Sequence, residues 1–515
     1  MEKEARLGEG ENGAWDAVER FLSALIFGCF ALMALVLVKV SVERLWIGEG
    51  IWPVKLLCLL LPALVLAGVA AACRRAQRSG VRRFALMLFL ATLALKGCFA
   101  ALMDTRPVSD FLVVYDAAVD LVQDGITLTG QPYFQMWPYQ SGPVLYLAAL
   151  LKLFGGNLLW LKLINALWAA LTSVAVYALA RRFASEGGAR AAALLYTLYP
   201  GTWLLVPVLT NQHLSELLLL LALWLYTADA GSWKGRLGLS AGAGVALALG
   251  SAIRPVGTVA LAAAGCLMVL EMLRERRGGW RAAGGALIRF VALAAVYAAV
   301  MGALSGLIRL TGVNEYGLSS SCPEWKFACG LNEETSGEYS QEDADLVFGS
   351  ADPRQAAREL ALERLRMPAG RLLELLDSKI KAMWGDYEVV VWTLTPNVEA
   401  EIDASPLPVT AEQVNRWTRF VCSGAYAVCF LLAALGGGAA LRGRGRESES
   451  ARLLALVALA YFGVHLFIEV QPRYRSLMYA VAFPLSALSF DALSALFGRG
   501  RPGLSARKNT DILRK

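Results

Sequence analysis

The residues of this chain best suited to chemistry collect at the edges of its apolar runs. The stretch RPVSDFLVVYDAAVD, residues 106–120, places Asp110, Asp116 and Asp120 directly after FALMLFLATLALKGCFAALM. Asn211, His213 and Glu216 stand in TNQHLSELL, and Arg254 stands in SAIRPVG. Lys379 and Asp386 flank the end of a leucine-rich polar stretch, and His465, Glu469, Arg473 and Arg475 follow a later apolar run. Carboxylates beside an aromatic can take a proton from a hydroxyl or amine, or hold a metal. Arginine and lysine can grip a phosphate, arginine through two parallel N–H bonds. Ionisable groups beside hydrocarbon are costly. Any one of them alone reads as an interfacial or solvated side chain, but a set gathered at one depth points to a site.

The elements that must position them follow from composition. The chain has 515 residues, 57% of them hydrophobic, and a mean hydropathy of +0.50. That is too apolar for a soluble enzyme of this length. Apolar stretches of membrane-spanning length recur, and they imply helices, because a helix satisfies its own backbone in lipid. Twelve spans are expected, at 20–43, 51–73, 84–103, 157–180, 190–209, 213–229, 237–253, 255–273, 283–308, 417–441, 452–468 and 477–497. The N-terminus lacks a basic start, and no small-residue cleavage site closes the first run, so 20–43 reads as a true span.

The net charge of +7 sits largely in short loops, a topology signal that argues against nucleic acid as a partner. The 74–83 loop carries five arginines, and ARRF at 180–183, the loops at 274–281 and 442–452 and the C-terminal tail are also basic. With twelve spans, all of these and both termini fall on the cytoplasmic side. Residues 104–156 and 309–416 then fall outside. The second segment has 19 acidic and 10 basic residues, the opposite bias to the inner loops. It is expected to hold one amphipathic helix near 354–383, while 142–156 is too short to span and reads as a surface or re-entrant helix. The expected fold is an all-α polytopic membrane protein of about twelve transmembrane helices. Its two extracytoplasmic segments form a small mixed or helical cap.

The chain divides into 1–83, a tail and two extra helices; 84–308, a core with its external loop at 104–156; 309–416, the large external loop; 417–497, the last helices; and 498–515, a basic tail. Nine cysteines show no CxxC or Cys/His cluster, which argues against zinc. Cys322 and Cys329 share the external loop and are either bridged or a pair of buried thiols.

Several pieces, in their order and placement, carry a resemblance. They are SDFLVVYDAA after the third span, WPYQSGPVLYLAALLKLFGGNLLWLKLINAL at 137–167, TNQHLSELL at 210–218, SAIRPVG at 251–257, PEWKFACGLNEETSGEYSQED at 323–343 and QPRYRSLMYAVAFP at 471–484. Over most of its length the chain resembles GT-C membrane glycosyltransferases, in particular the protein O-mannosyltransferase and aminoarabinose-transferase-like branch. The resemblance implies a polyprenyl-phosphate-linked sugar donor, inversion at the anomeric carbon, and an active site on the extracytoplasmic face of the cell membrane. The acceptor would be a protein hydroxyl, a cell-wall polymer or a glycolipid. Asp110 matches the first-loop aspartate that acts as base, and Glu216 sits where the family often has a second acid. Arg473 and Arg475 match basic positions that would hold the lipid phosphate, with Arg254 and Lys379 as further ligands. Asp116, Tyr115, Gln140, His213, Trp325 and Asn332 are candidates for contact with substrate or a metal. No cofactor is implied with certainty, and a divalent metal is left open.

His213 reads equally as a helix cap, and His465 with Glu469 equally as a structural hydrogen bond. The two helices before residue 84 precede the usual start of the family. A transporter or lipid flippase is the alternative; it would place charges along a pathway through the bilayer midplane, often between repeated halves. Here they gather at one face. A structural or assembly protein would not need the acid and arginine set.

Overall fold

The computed structural model describes residues 2–47, 52–75, 80–275, 280–385, 389–443 and 448–498. Parts of three basic loops, the tail from 499 onward and Asp386 lie outside the described residues. Among the described residues the chain is helical with no strand, and nine helical segments are long and apolar enough to cross a membrane.

The order begins with α1 (Glu2–Ile47), α2 (Trp52–Arg75) and α3 (Val81–Leu102). Two shorter helices follow, α4 (Asp110–Gln123) and α5 (Ser141–Phe154), and then α6 (Leu158–Ala180), α7 (Glu186–Leu198) and α8 (Gln212–Tyr226). Next come α9 (Trp233–Ile253), α10 (Gly257–Glu275) and α11 (Trp280–Leu310). The long polar segment contributes α12 (Pro353–Leu365) and α13 (Ala369–Ile380), after which α14 (Ala411–Leu441) and α15 (Glu449–His465) return to the bundle. The last apolar segment is Pro472–Leu496.

Three of the twelve expected spans are shorter than sequence reading suggests. The run at 190–209 breaks at Tyr199–Pro200. Tyr199 takes extended backbone (φ −63°, ψ 121°), as a residue before proline prefers, and α7 stops at Leu198. The run at 213–229 forms α8, of 15 residues, and that at 452–468 forms α15, of 17. These fall below the ~20 residues that a straight crossing needs. The amphipathic stretch near 354–383 is likewise two helices, because Pro368 ends α12 and opens α13. The segments at the loop-rich end are helical, not mixed, among the described residues.

The two N-terminal helices are part of the bundle. α1 and α2 both pack on α14. At Gly424 an added Cβ would stand 2.0 Å from the carbonyl oxygen of Cys58, so α2 can approach α14 this closely only over glycine. Ser41 seals the neighbouring contact by donating to the Ser423 carbonyl at 2.8 Å. The core runs from Phe27, Phe30 and Leu37 of α1 through Tyr426 and Phe430 of α14 to Tyr479 and Phe483 of the last segment. A satellite core joins α4 to α5 through Val114, Ala118, Val144 and Leu147.

Candidate active site

Asp110 is the first residue of α4. The turn that delivers it is tied down on three sides. Lys162 of α6 donates to the Met103 carbonyl at 2.8 Å, Thr105 donates to the Thr393 carbonyl at 2.7 Å, and Asn397 donates to the Asp104 carbonyl at 2.5 Å. Ser109, immediately before it, holds φ +52°, a conformation that a residue with a Cβ rarely adopts. A carboxylate in the first turn is also favoured by the helix dipole. The segment 103–110 is thus fixed by contacts from distant parts of the chain.

Arg473 comes from the other end of the sequence. It lies in the short 3-10 turn Pro472–Arg475, behind the extended Gln471. Gln212 at the start of α8 anchors this turn, its amide donating to the Arg473 carbonyl at 2.5 Å and to the Ser476 hydroxyl at 2.8 Å. The Arg473 guanidinium lies 4.9 Å from the rings of both Phe111 and Trp392, which themselves meet edge to face at 5.2 Å. From there its Nη2 donates to Asp110 Oδ2 at 2.8 Å, across 363 residues of sequence. The two partners differ in exposure: the Asp110 side chain is 40% exposed, that of Arg473 only 9%. The Arg473 Nε is buried without a partner.

A second ion pair lies beside the first. Glu469 is buried and accepts from Lys326, whose ammonium is its principal partner. Gln471 donates to the same carboxylate at 2.8 Å and the Tyr474 hydroxyl at 3.3 Å. Burial works against the Glu469 carboxylate, but the Lys326 charge and these hydrogen bonds outweigh it and hold the carboxyl below its usual range. Burial also opposes the Lys326 charge, yet Glu469 and its neighbours keep the ammonium well above its ordinary value. Tyr133 and Tyr139 lie within electrostatic reach of Asp110, and burial pushes both phenols up, so they stay neutral donors. Gln140 donates to the Tyr133 hydroxyl at 3.1 Å and leaves its own Oε1 buried and unpartnered. Arg254 stacks 4.8 Å from the Tyr474 ring and donates to Asn211 at 3.2 Å.

So Asp110, Arg473, Gln140 and Arg254 come together, and other candidates take different work. Tyr115 and Asp116 lie five and six residues along α4, which turns them off the Asp110 face; Tyr115 packs on the α4–α5 core and Asp116 is exposed. His213 is bonded to the Leu205 carbonyl at 2.9 Å. Glu216 is buried deeper in the bundle, within electrostatic reach of Arg254 and Lys96 and with Oε1 unpartnered. Trp325 is a core residue packed on Tyr339 and Phe348, not a sugar-facing ring. Asn332 closes a turn, accepting from the Glu334 amide at 2.9 Å and donating to Asp343 at 2.8 Å.

Lys379 is buried and spent on carbonyls, those of Gly330 at 2.5 Å and Ile468 at 2.9 Å, and burial pushes its ammonium down to about 7. Gly330 is required there, since a Cβ would stand 2.4 Å from the Phe467 carbonyl oxygen. Arg475 is buried against the Trp384 carbonyl at 3.0 Å and the Tyr426 ring. His465 ends α15 and bonds the Tyr461 carbonyl at 2.7 Å rather than Glu469, because the helix stops before Glu469. Cys322 and Cys329 are free buried thiols that turn to separate carbonyls, of Pro353 and Glu338.

Sequence reasoning missed Lys326, Tyr133, Tyr139, Trp392, Gln471 and Tyr474. Gln471 and Tyr474 stand in QPRYR beside the two arginines, Tyr139 in WPYQSG and Lys326 in PEWKFACG beside Trp325, which was the available signal; Trp392 had none.

No group of three His, Cys, Asp or Glu side chains converges among the described residues. Asp110 and Glu469 are each taken by a cation. The residues present do not make a cage for a divalent metal, and no step is routed through one.

Residues 142–301 match the family model described as dolichyl-phosphate-mannose-protein mannosyltransferase. The chain resembles a GT-C membrane glycosyltransferase. The matched span starts after Asp110 and stops before Arg473. No match was found among curated proteins. Among solved structures, the apo oligosaccharyltransferase of Archaeoglobus fulgidus shares 14% identity at a TM-score of 0.42, covering 81% of this chain and 53% of that one. The chain thus spans about half the length of that enzyme. ArnT from Cupriavidus metallidurans, solved with undecaprenyl phosphate, shares 14% identity at a TM-score of 0.34, covering 80% of this chain and 78% of that one. Arabinosyltransferase EmbB from Mycobacterium smegmatis shares 13% identity at a TM-score of 0.32, covering 88% of this chain and 45% of that one.

Proposed function

We propose that this protein moves a sugar from a polyprenyl-phosphate carrier to an acceptor on the extracytoplasmic side of the membrane, with inversion at the anomeric carbon. The observation that carries the reading is the contact between Asp110 and Arg473, a carboxylate and an arginine held at 2.8 Å at the end of the bundle where α1 and α3 finish. The arginine-rich loops belong to the opposite end, and by the positive-inside bias this supports an extracytoplasmic position for the site.

In this reading the acceptor hydroxyl gives its proton to Asp110 as its oxygen bonds the anomeric carbon. The bond from that carbon to the phosphate oxygen breaks, and the polyprenyl phosphate leaves with the electron pair. Arg473, with Arg254 behind Tyr474, stabilises the charge that gathers on the leaving phosphate. Before the donor arrives, Asp110 is held by the Arg473 guanidinium. The donor phosphate is the stronger competitor for that guanidinium, so its arrival frees Asp110 at the moment the base is needed. The neutral phenols of Tyr133 and Tyr139 and the orphaned Gln140 carbonyl supply hydrogen bonds to sugar hydroxyls.

The flippase reading calls for charges along a path through the bundle. Lys96 and Glu216 are buried there, but they meet Thr202 and Ser476 within packed helices.

The test is Asp110→Asn in purified protein supplied with a polyprenyl-phosphate sugar. The substitution keeps the size and removes the base, so turnover falls about a hundredfold to ten-thousandfold while the protein still inserts. Wild-type turnover in Asp110→Asn would sink the assignment.

A further inference from the structure

The two helices that precede the family-like portion have no part in the site described so far, yet α1 ends beside it. Its last turns, with Glu43, form one wall of a cavity of about 600 Å³. The loop bearing Ser336, Glu338 and Tyr339 forms the second wall, and α13 with the turn after it, bearing Ser378 and Lys381, forms the third. Gly385 of that turn lies against Val40, so α1 is packed into the wall rather than passing by. The volume lies within the ~300–1,000 Å³ range of small-ligand sites.

Two observations connect this cavity to the acid. Tyr339 lines it, is 42% exposed, and stands within electrostatic reach of both Asp110 and Glu469. Ser336 holds φ +54°, and the only other non-glycine residue at positive φ among the described residues is Ser109, directly before Asp110. Such strain persists where the surroundings impose it, commonly at ligand clamps. The two strained positions mark the reacting carboxylate and this cavity.

The lining fixes the class of ligand. It offers hydroxyls from Ser336, Tyr339 and Ser378, of which Tyr339 already donates to Gln341 at 3.1 Å and Ser378 to the Leu375 carbonyl at 2.9 Å, and charges of both signs, Glu43, Glu334 and Glu338 against Arg44 and Lys381. The charges are in part already matched, Glu43 by Lys39 at 3.3 Å and Lys381 by Asp377 at 2.5 Å. There is no surplus of cations to select a phosphate and no closed apolar slot for a prenyl chain. Many donors and acceptors around one aromatic face suit a neutral ligand that is polar at its rim and apolar on its ring faces. We infer that this cavity seats a neutral carbohydrate acceptor, its terminal hydroxyl passing Tyr339 to reach Asp110, with α1 as the added acceptor-binding wall. The inference rests on the transferase reading for the direction of the hydroxyl, but not for the binding itself.

The test uses full-length protein in nanodiscs and saturation-transfer NMR with linear tri- and tetrasaccharides of mannose, glucose, galactose and arabinose. At least one should bind. Tyr339→Ala and Ser378→Trp should each weaken it tenfold or more, the first by removing the ring and the second by filling the space. Ser378→Trp should leave undecaprenyl phosphate affinity within twofold of wild type, which shows that it still folds. The inference is overturned if no saccharide of the panel binds, if the variants bind it as well as wild type, or if a serine-rich peptide occupies the cavity in their place. Undecaprenyl phosphate binding that ignores Arg473, alongside intact saccharide binding, would instead overturn the transferase reading alone.

Discussion

Arg473→Lys separates the charge of the proposed phosphate ligand from its shape. Lysine keeps the positive charge but loses the planar fork and the flat surface that lies against Phe111 and Trp392, each 4.9 Å away. Loss of one charge-assisted hydrogen bond to phosphate costs about 1.5–3 kcal/mol, roughly a tenfold to hundredfold loss of donor affinity. Weakened stacking, about 0.5–1 kcal/mol for each ring, is lost with or without the donor and so lowers stability rather than affinity. The ion pair adds little to that. Asp110 is 40% exposed, and an ion pair with so exposed a partner contributes about 0–1 kcal/mol. The variant should therefore bind undecaprenyl phosphate at least tenfold more weakly while its melting temperature falls by only about a few degrees. Arg473→Ala should weaken binding further. Titration of undecaprenyl phosphate into nanodisc-embedded protein, with a parallel thermal melt, reads both quantities. Unchanged affinity in a folded Arg473→Lys protein would refute the placement of the phosphate on this guanidinium.

Three further outcomes are expected. Lys326→Met leaves Glu469 buried without its cation, a loss of about 3–5 kcal/mol, so hydrogen exchange at 466–471 should rise sharply, and the double change Lys326→Met, Glu469→Gln should recover much of the protection. Lys379, held down to about 7, binds a proton in the unfolded chain but not in the folded one between about pH 7 and its ordinary value near 10.4; protection of the 330–337 loop, corrected for intrinsic exchange, should therefore rise with pH from 7 to 9 and level off in Lys379→Met. Cysteines introduced in 104–156 or 309–416 should react with a membrane-impermeant maleimide on intact cells while one in 74–83 stays silent, and the opposite pattern would place the site on the cytoplasmic side.

The sequence made much of this arrangement legible. Long apolar runs and arginine-rich loops are local signals, and they located nine helices of crossing length among the described residues and the end of the bundle where Asp110 and Arg473 meet. The errors came from features that only packing decides. Pro200 and Pro368 were visible, but an apolar or leucine-rich run on both sides of each masked the break. Trp325 and Asn332 sit in a polar, turn-rich stretch that reads as surface, yet helices brought from 341–365 bury both. Lys379 looked like a phosphate ligand because its type and depth were right; its two carbonyl partners lie 49 and 89 residues away, beyond any local pattern. Lys326 and Glu469, 143 residues apart, form a pair that no spacing rule links.

The distribution of these charges explains how the site can be both rigid and responsive. Lys379 binds the Gly330 loop to the 466–471 segment, and Lys326 binds the same two segments through Glu469. Backbone pairs from Glu469 to Lys326 at 2.8 Å and from Val470 to Gly337 at 2.9 Å add to the join. Glu469 and Lys379 are buried and Lys326 is 32% exposed, and removing the cation from so buried a carboxylate costs about 3–5 kcal/mol. The Asp110–Arg473 contact is different, since the acid is 40% exposed while the arginine is buried against two rings. Breaking it costs about 1 kcal/mol or less, well under the gain from a phosphate on the same guanidinium. A phosphate arriving from the lipid would thus part that pair and leave the rest in place, and the group it displaces is the carboxylate that the reaction needs.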